Sequence, residues 1–132
     1  MKAKPIALFL LFVAASGIGM ARYLYPVENE FSIMRCTVSF LGSPDADRNP
    51  AGWRYYQVGM TALVLALGQM IGWRHRNFRA STGPVINKVS AVYAVGLVLI
   101  LVAVWVADSD EMLWIGIRSG TVHTKIAIIA IL

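Results

Sequence analysis

Nineteen consecutive residues from Val89 to Ala107, VSAVYAVGLVLILVAVWVA, carry no charge. A helix of that length is about 28 Å long at 1.5 Å per residue, close to the roughly 30 Å hydrocarbon core of a bilayer. The run therefore predicts a membrane-crossing helix. Two more segments fit the same length. Pro5 to Tyr25 holds seventeen uncharged residues before Arg22, and Tyr55 to Trp73 is bracketed by Trp53, Tyr55, Tyr56 and Trp73, as the aromatic belts at the two faces of a membrane would be. Two belts one span apart are hard to obtain from the core helix of a soluble protein. A fourth apolar run, Thr121 to Leu132, is too short to cross and predicts the start of a span in a truncated chain.

The first segment has a competing reading as a secretory signal, because Lys2 and Lys4 precede it and Ala14, Ala15 and Ser16 offer small residues for cleavage. A retained helix is the better expectation, since apolarity continues past those residues to Tyr23 and Tyr25.

Charge then orders the segments. The chain is 58% hydrophobic and only 14% charged, against about one quarter charged in soluble domains. Lys2, Lys4, Arg74, Arg76, Arg79 and Lys88 lie in two segments without an acid, whereas Glu28, Glu30, Asp45, Asp47, Asp108, Asp110 and Glu111 lie in two others. By the positive-inside rule the N-terminus and a loop at 74–88 are cytoplasmic, and loops at 26–54 and 108–120 lie outside. The predicted fold is all-α: one multi-pass transmembrane helical bundle with spans at 5–25, 55–73, 89–107 and, incomplete, 121–132, resident in the cell membrane. The net charge of +5 does not indicate nucleic acid as a partner, because the basic residues only flank apolar runs. Cys36 is the only cysteine, so no disulfide forms within the chain, and His75 and His123 are too few for a histidine cage. Neither a metal nor a cofactor is expected. A mixed histidine and carboxylate site stays open.

A single loop stands apart from this apolar chain. In CTVSFLGSPDADRNPAGW, Pro44 fixes φ, Asp45, Asp47 and Asn49 bond local backbone, Gly42 tolerates unusual φ, and Pro50 suits a helix start. The alternation of Asp45, Asp47 and Asn49 is shared with calcium loops, but the loop glycine and distal glutamate are missing. Pairing of Asp45 or Asp47 with Arg48 or Arg54 is the better expectation. Just before the loop, Ser32, Cys36, Ser39 and Ser43 recur at helical spacing, which predicts a short interfacial helix, with a lip over a polar cavity as its functional reading.

The order of these features resembles the bacterial and archaeal membrane family called domain of unknown function 998. Ser39, Leu41 and Gly42, then Asn49 and Pro50, then Tyr56 and Gly59, and later His123, match its short motifs over nearly the whole chain. The resemblance implies a helical bundle of about six spans in the membrane. It implies no established activity.

For chemistry, Ser39, Asp108 and His123 fall on one face of the predicted membrane. A hydroxyl, an imidazole and a carboxylate in contact would support nucleophilic hydrolysis. Ser119 and His123 also stand one turn apart, a spacing similar to that in the membrane hydrolase superfamily containing alkaline ceramidases, where Ser, Asp and several His bind zinc. Only one histidine here is on that side. The simpler expectation for His123 is an interfacial ring bonded to a loop carbonyl. Arg74, Arg76 and Arg79 are candidates for lipid headgroups, Lys125 for snorkelling, and Gly68 and Gly72 for helix association. Two functions therefore remain. The first is a non-enzymatic bundle that binds or moves a small or lipidic molecule, or supports other membrane proteins. The alternative is an intramembrane hydrolase or lipid-modifying enzyme using Ser39, Asp108 and His123.

Overall fold

The computed structural model describes the backbone of residues 3–29, 38–106, 117 and 119–131. Among these every regular element is helical: α1, Ala3–Tyr23; two short 3-10 helices, Val27–Asn29 and Val38–Gly42; α2, Trp53–Trp105; and α3, Ser119–Ile131. Two segments are long and apolar enough to cross a membrane, Pro5–Tyr23 and Asn87–Trp105, and only 11% of each is buried. The core helix of a soluble protein would be mostly buried. These helices expose leucine, valine and phenylalanine instead.

α2 has 53 residues, and drawn straight it would hold its ends about 80 Å apart. It does not run straight. Gln57 Nε2 donates to the Val104 carbonyl at 3.2 Å, and Trp105 Nε1 donates to Thr61 Oγ1 at 3.1 Å. Farther along, His75 Nδ1 and Ser90 Oγ meet at 3.1 Å. Residues 57 and 61 meet 104 and 105, whereas 75 meets 90, so two arms, residues 53–75 and 90–105, are antiparallel and the chain reverses between His75 and Ser90. The loop expected at 74–88 is thus helical in backbone up to the reversal on both sides. Good helix formers such as Arg74, Arg76, Ala80 and Lys88 extend each arm.

α1 lies antiparallel to the first arm, because Gly17 meets Gly59 while Ala21, farther on, meets Gly52 and Asn49. α3 lies antiparallel to the second arm, because His123 bonds Ala103 while Ala130 approaches Gly96. Four helical segments therefore alternate in direction. The tightest crossing is that of α1 on the first arm: a Cβ placed on Gly17 would fall 2.7 Å from the Tyr55 carbonyl, and one on Gly59 would fall 2.9 Å from the Ile18 nitrogen. Glycine lets the backbones touch there, and small residues are how helices pack closely where apolar burial gives little drive.

This arrangement gives the molecule two unlike ends. The loop end mixes Glu28, Asp45 and Asp47 with Arg22, Arg48 and Arg54, whereas the other, basic end has exposed Arg74, Arg76 and Lys88 and no acid among the described residues. Exposed tryptophan and tyrosine sort the same way. Tyr23, Tyr55 and Trp105 stand at the loop end, and Trp73 and Tyr93 at the basic end. The two girdles are about 27 Å apart along the first arm.

The buried cluster sits at the loop end. Ala21, Tyr25, Leu41 and Tyr56 form it, with Ile18, Phe40 and Met60 packed around them. Burying Leu41 there contributes about 1.5–3 kcal/mol.

Candidate functional site

A helix leaves its last carbonyls and first amides without helical partners, and buried ones must find others. At the loop end Asn49 meets that need three times. Its Nδ2 donates to the Ala21 carbonyl at 3.0 Å, near the end of α1, and to the Leu41 carbonyl at 2.8 Å, in the 3-10 helix. Its Oδ1 accepts from the Gly52 amide at 3.1 Å, at the start of α2. The side chain is fully buried, and all three bonds are inside protein. Gly52 is required beside it, since a Cβ there would fall 2.6 Å from both Asn49 amide atoms.

The rest of the loop folds around this amide. Asn29 Nδ2 donates to the Arg48 carbonyl at 2.8 Å and to Ala46 at 3.3 Å, closing the loop from its far side. Ser43 is buried, and its Oγ accepts from the Asp45 amide at 3.4 Å. Gly42 lies against the Tyr56 ring, where a side chain would collide. Asp45 pairs with Arg48 at 3.7 Å, as expected for this turn, and Arg48 also stacks over Phe40 at 4.5 Å. The ion pair contributes at most about 1 kcal/mol. Pro50 precedes the helix by three residues rather than opening it. Asn49 Oδ1 is committed to Gly52, Asp47 is exposed, and no group of three or more His, Cys, Asp or Glu converges among the described residues. The loop is a plug on the bundle end, held by its own turns and hydrogen bonds.

His123 answers the same helix-end need on α2. Val102 accepts from the Val106 amide, and the next two carbonyls take side chains from other parts of the bundle. Ala103 lies 2.7 Å from His123 Nδ1, and Val104 accepts from Gln57. A carbonyl only accepts, so in this contact Nδ1 is the donor. A carboxylate therefore does not orient this ring through Nδ1. Asp108 and Cys36 lie outside the described residues, as does the side chain of Ser39, whose backbone belongs to the 3-10 helix Val38–Gly42. His123→Ala removes one bond and leaves the Ala103 carbonyl without it. We expect a loss of about 1–2 kcal/mol, measured as a lower midpoint on titrating the detergent-solubilised protein with sodium dodecyl sulfate.

Gln57 was not singled out by the sequence reading. It is buried, and its Oε1 has no hydrogen-bond partner among the described residues. The signal was available: an amide inside an apolar span must face the bundle interior.

Within the chain Gly68 and Gly72 make no close helix contact. A Cβ on Gly72 would meet nothing within 4 Å, and one on Gly68 only Leu97, at 3.9 Å. They instead floor a groove between the arms of α2. Adjoining cavities of about 680 Å³ and 350 Å³ share Gly68, Gly72, His75, Ala94 and Leu97, with Arg76 in the wall of the first and Asn87 and Ser90 in that of the second. A further cavity of about 550 Å³ is lined by Leu67, Met70, Arg74, His75 and Tyr93, among others. Both grooves are mostly apolar, with Gln69 partway along the first, and polar at the basic end. Of the three arginines expected at headgroups, Arg74 and Arg76 are exposed beside these grooves, and the side chain of Arg79 lies outside the described residues. Lys125 is exposed on α3, as snorkelling requires.

Comparison with protein-family models, curated proteins and solved structures finds no match to this chain.

Proposed function

We propose that this chain is a multi-pass membrane bundle, N-terminus in the cytoplasm, that holds a lipidic molecule between the arms of α2. The observation that carries this reading is the pair of grooves, apolar over most of their length and lined by Arg74, His75 and Arg76 only at the basic end. A lipid has that pattern of one polar head and a long apolar remainder. Alternating helix directions, exposed aromatics about 27 Å apart along the first arm and an acid-free basic end support the crossing of a bilayer with the loop outside. The likeness to domain of unknown function 998 remains a proposal on the same footing, supported by the structural use of Asn49 and Gly59, two of the residues that carry it.

Topology tests this first. In a Cys36→Ser background, a membrane-impermeant maleimide applied to intact cells is expected to label Asp47→Cys and spare Asn87→Cys, with both labelled once cells are opened. Equal labelling of the two in intact cells would sink the crossing, and the lipid reading with it.

A further inference from the structure

We infer that the groove floored by Gly68 and Gly72 selects an anionic phospholipid, its phosphate held at Arg76 with His75 and Asn87 beside it. The inference rests on the lipid reading above and adds the headgroup class. Arg76 is exposed and lines the cavity of about 680 Å³, whose walls are apolar at Val64, Leu65 and Leu97, with Gln69 and His75 as the other polar side chains. An exposed guanidinium at the mouth of an apolar groove offers several N–H donors to phosphate oxygens at the depth where a headgroup lies. Asn87 is exposed in the wall of the adjoining cavity and can donate through its amide.

Charge decides between occupants of this groove. Arg74, Arg76 and Lys88 share the basic end without an acid among the described residues. A second copy in the same orientation would set these cations against its own, with no carboxylate between them. A zwitterionic lipid would bring its own cation to the same crowded place. An anionic phospholipid brings net negative charge and leaves the groove filled. The floor fits as well, since the open space at Gly72 gives a chain access that a larger residue would close.

The test uses the detergent-solubilised chain and two lipids with identical acyl chains, phosphatidylglycerol and phosphatidylcholine, with retained lipid counted by native mass spectrometry. Wild type is expected to retain phosphatidylglycerol in preference. Arg76→Gln should reduce that preference about fivefold, the fold-change corresponding to about 1 kcal/mol for one basic residue at an anionic headgroup. Gly72→Leu should reduce retention of both lipids. Equal retention of the two lipids by wild type, with Gly72→Leu still lowering both, would overturn the headgroup assignment and leave the lipid reading standing. No difference between wild type and Gly72→Leu for either lipid would overturn both. An equal loss from Lys88→Gln, a cation of the same end outside the groove lining, would overturn the Arg76 site in favour of diffuse surface charge.

Discussion

Asn49→Ala should cost the protein on the order of 4 kcal/mol, because it leaves two buried carbonyls and one buried amide without partners at about 1–3 kcal/mol each. The three groups belong to three different elements: Ala21 ends α1, Leu41 belongs to the 3-10 helix, and Gly52 begins α2. Losing the amide therefore separates the loop from both helices at once. Unfolding of the detergent-solubilised protein by sodium dodecyl sulfate would measure it, read by helical circular dichroism. Asn49→Asp is the sharper control. It keeps an oxygen for Gly52 but replaces the donor to both carbonyls with a second acceptor, so it should be at least as damaging as alanine. A midpoint for Asn49→Ala within about 0.5 kcal/mol of wild type, the range of an inert surface change, would mean that the latch contributes nothing.

Two glycine substitutions should differ in sign. Gly59→Ala puts a methyl group 2.9 Å from the Ile18 nitrogen and 3.0 Å from the Ala14 carbonyl, both backbone atoms that cannot rotate away. α1 must then move off the first arm, at a cost of about 1–3 kcal/mol. Gly72→Ala meets open space in the middle of a helix, and replacing helical glycine by alanine gains up to about 1 kcal/mol. The same unfolding experiment reads both. A GxxxG association through Gly68 and Gly72 predicts the reverse order, so finding Gly72→Ala destabilising and Gly59→Ala neutral would show that the helices meet elsewhere.

That reversal also shows how far the sequence could be read. Composition and charge order were enough for an all-helical chain with long apolar segments, because uncharged run length and the placement of Arg and Lys are properties of single segments. Which glycines touch another helix is not such a property. Gly68 and Gly72 carry the expected spacing within one helix, whereas Gly17 and Gly59 are far apart in sequence and become neighbours only when α1 packs. Asn49 was legible as a turn residue but not as a latch: two of its three partners are main-chain carbonyls, at Ala21 and Leu41, and a carbonyl has no residue type to betray it. His123 was legible as a ring bonded to a carbonyl, though the carbonyl turned out to belong to a helix end rather than a loop. Gln57 was overlooked because a single amide changes the hydropathy of its span very little, although its burial makes it one of the more consequential polar groups. The pairing of Asp45 with Arg48 was readable because it is local, at the spacing of one turn.

The placement of Asn49 has a consequence for how the chain is made. Its partners span residues 21 to 52, so everything the latch requires leaves the ribosome before the second arm of α2 has been synthesised. At about 5–20 residues per second, those 32 residues emerge within about 2–6 s. The loop end is therefore an early module that ties the first two helices together while the rest of the protein is still being translated. Any helix arriving later docks against a pair whose relative position is already set.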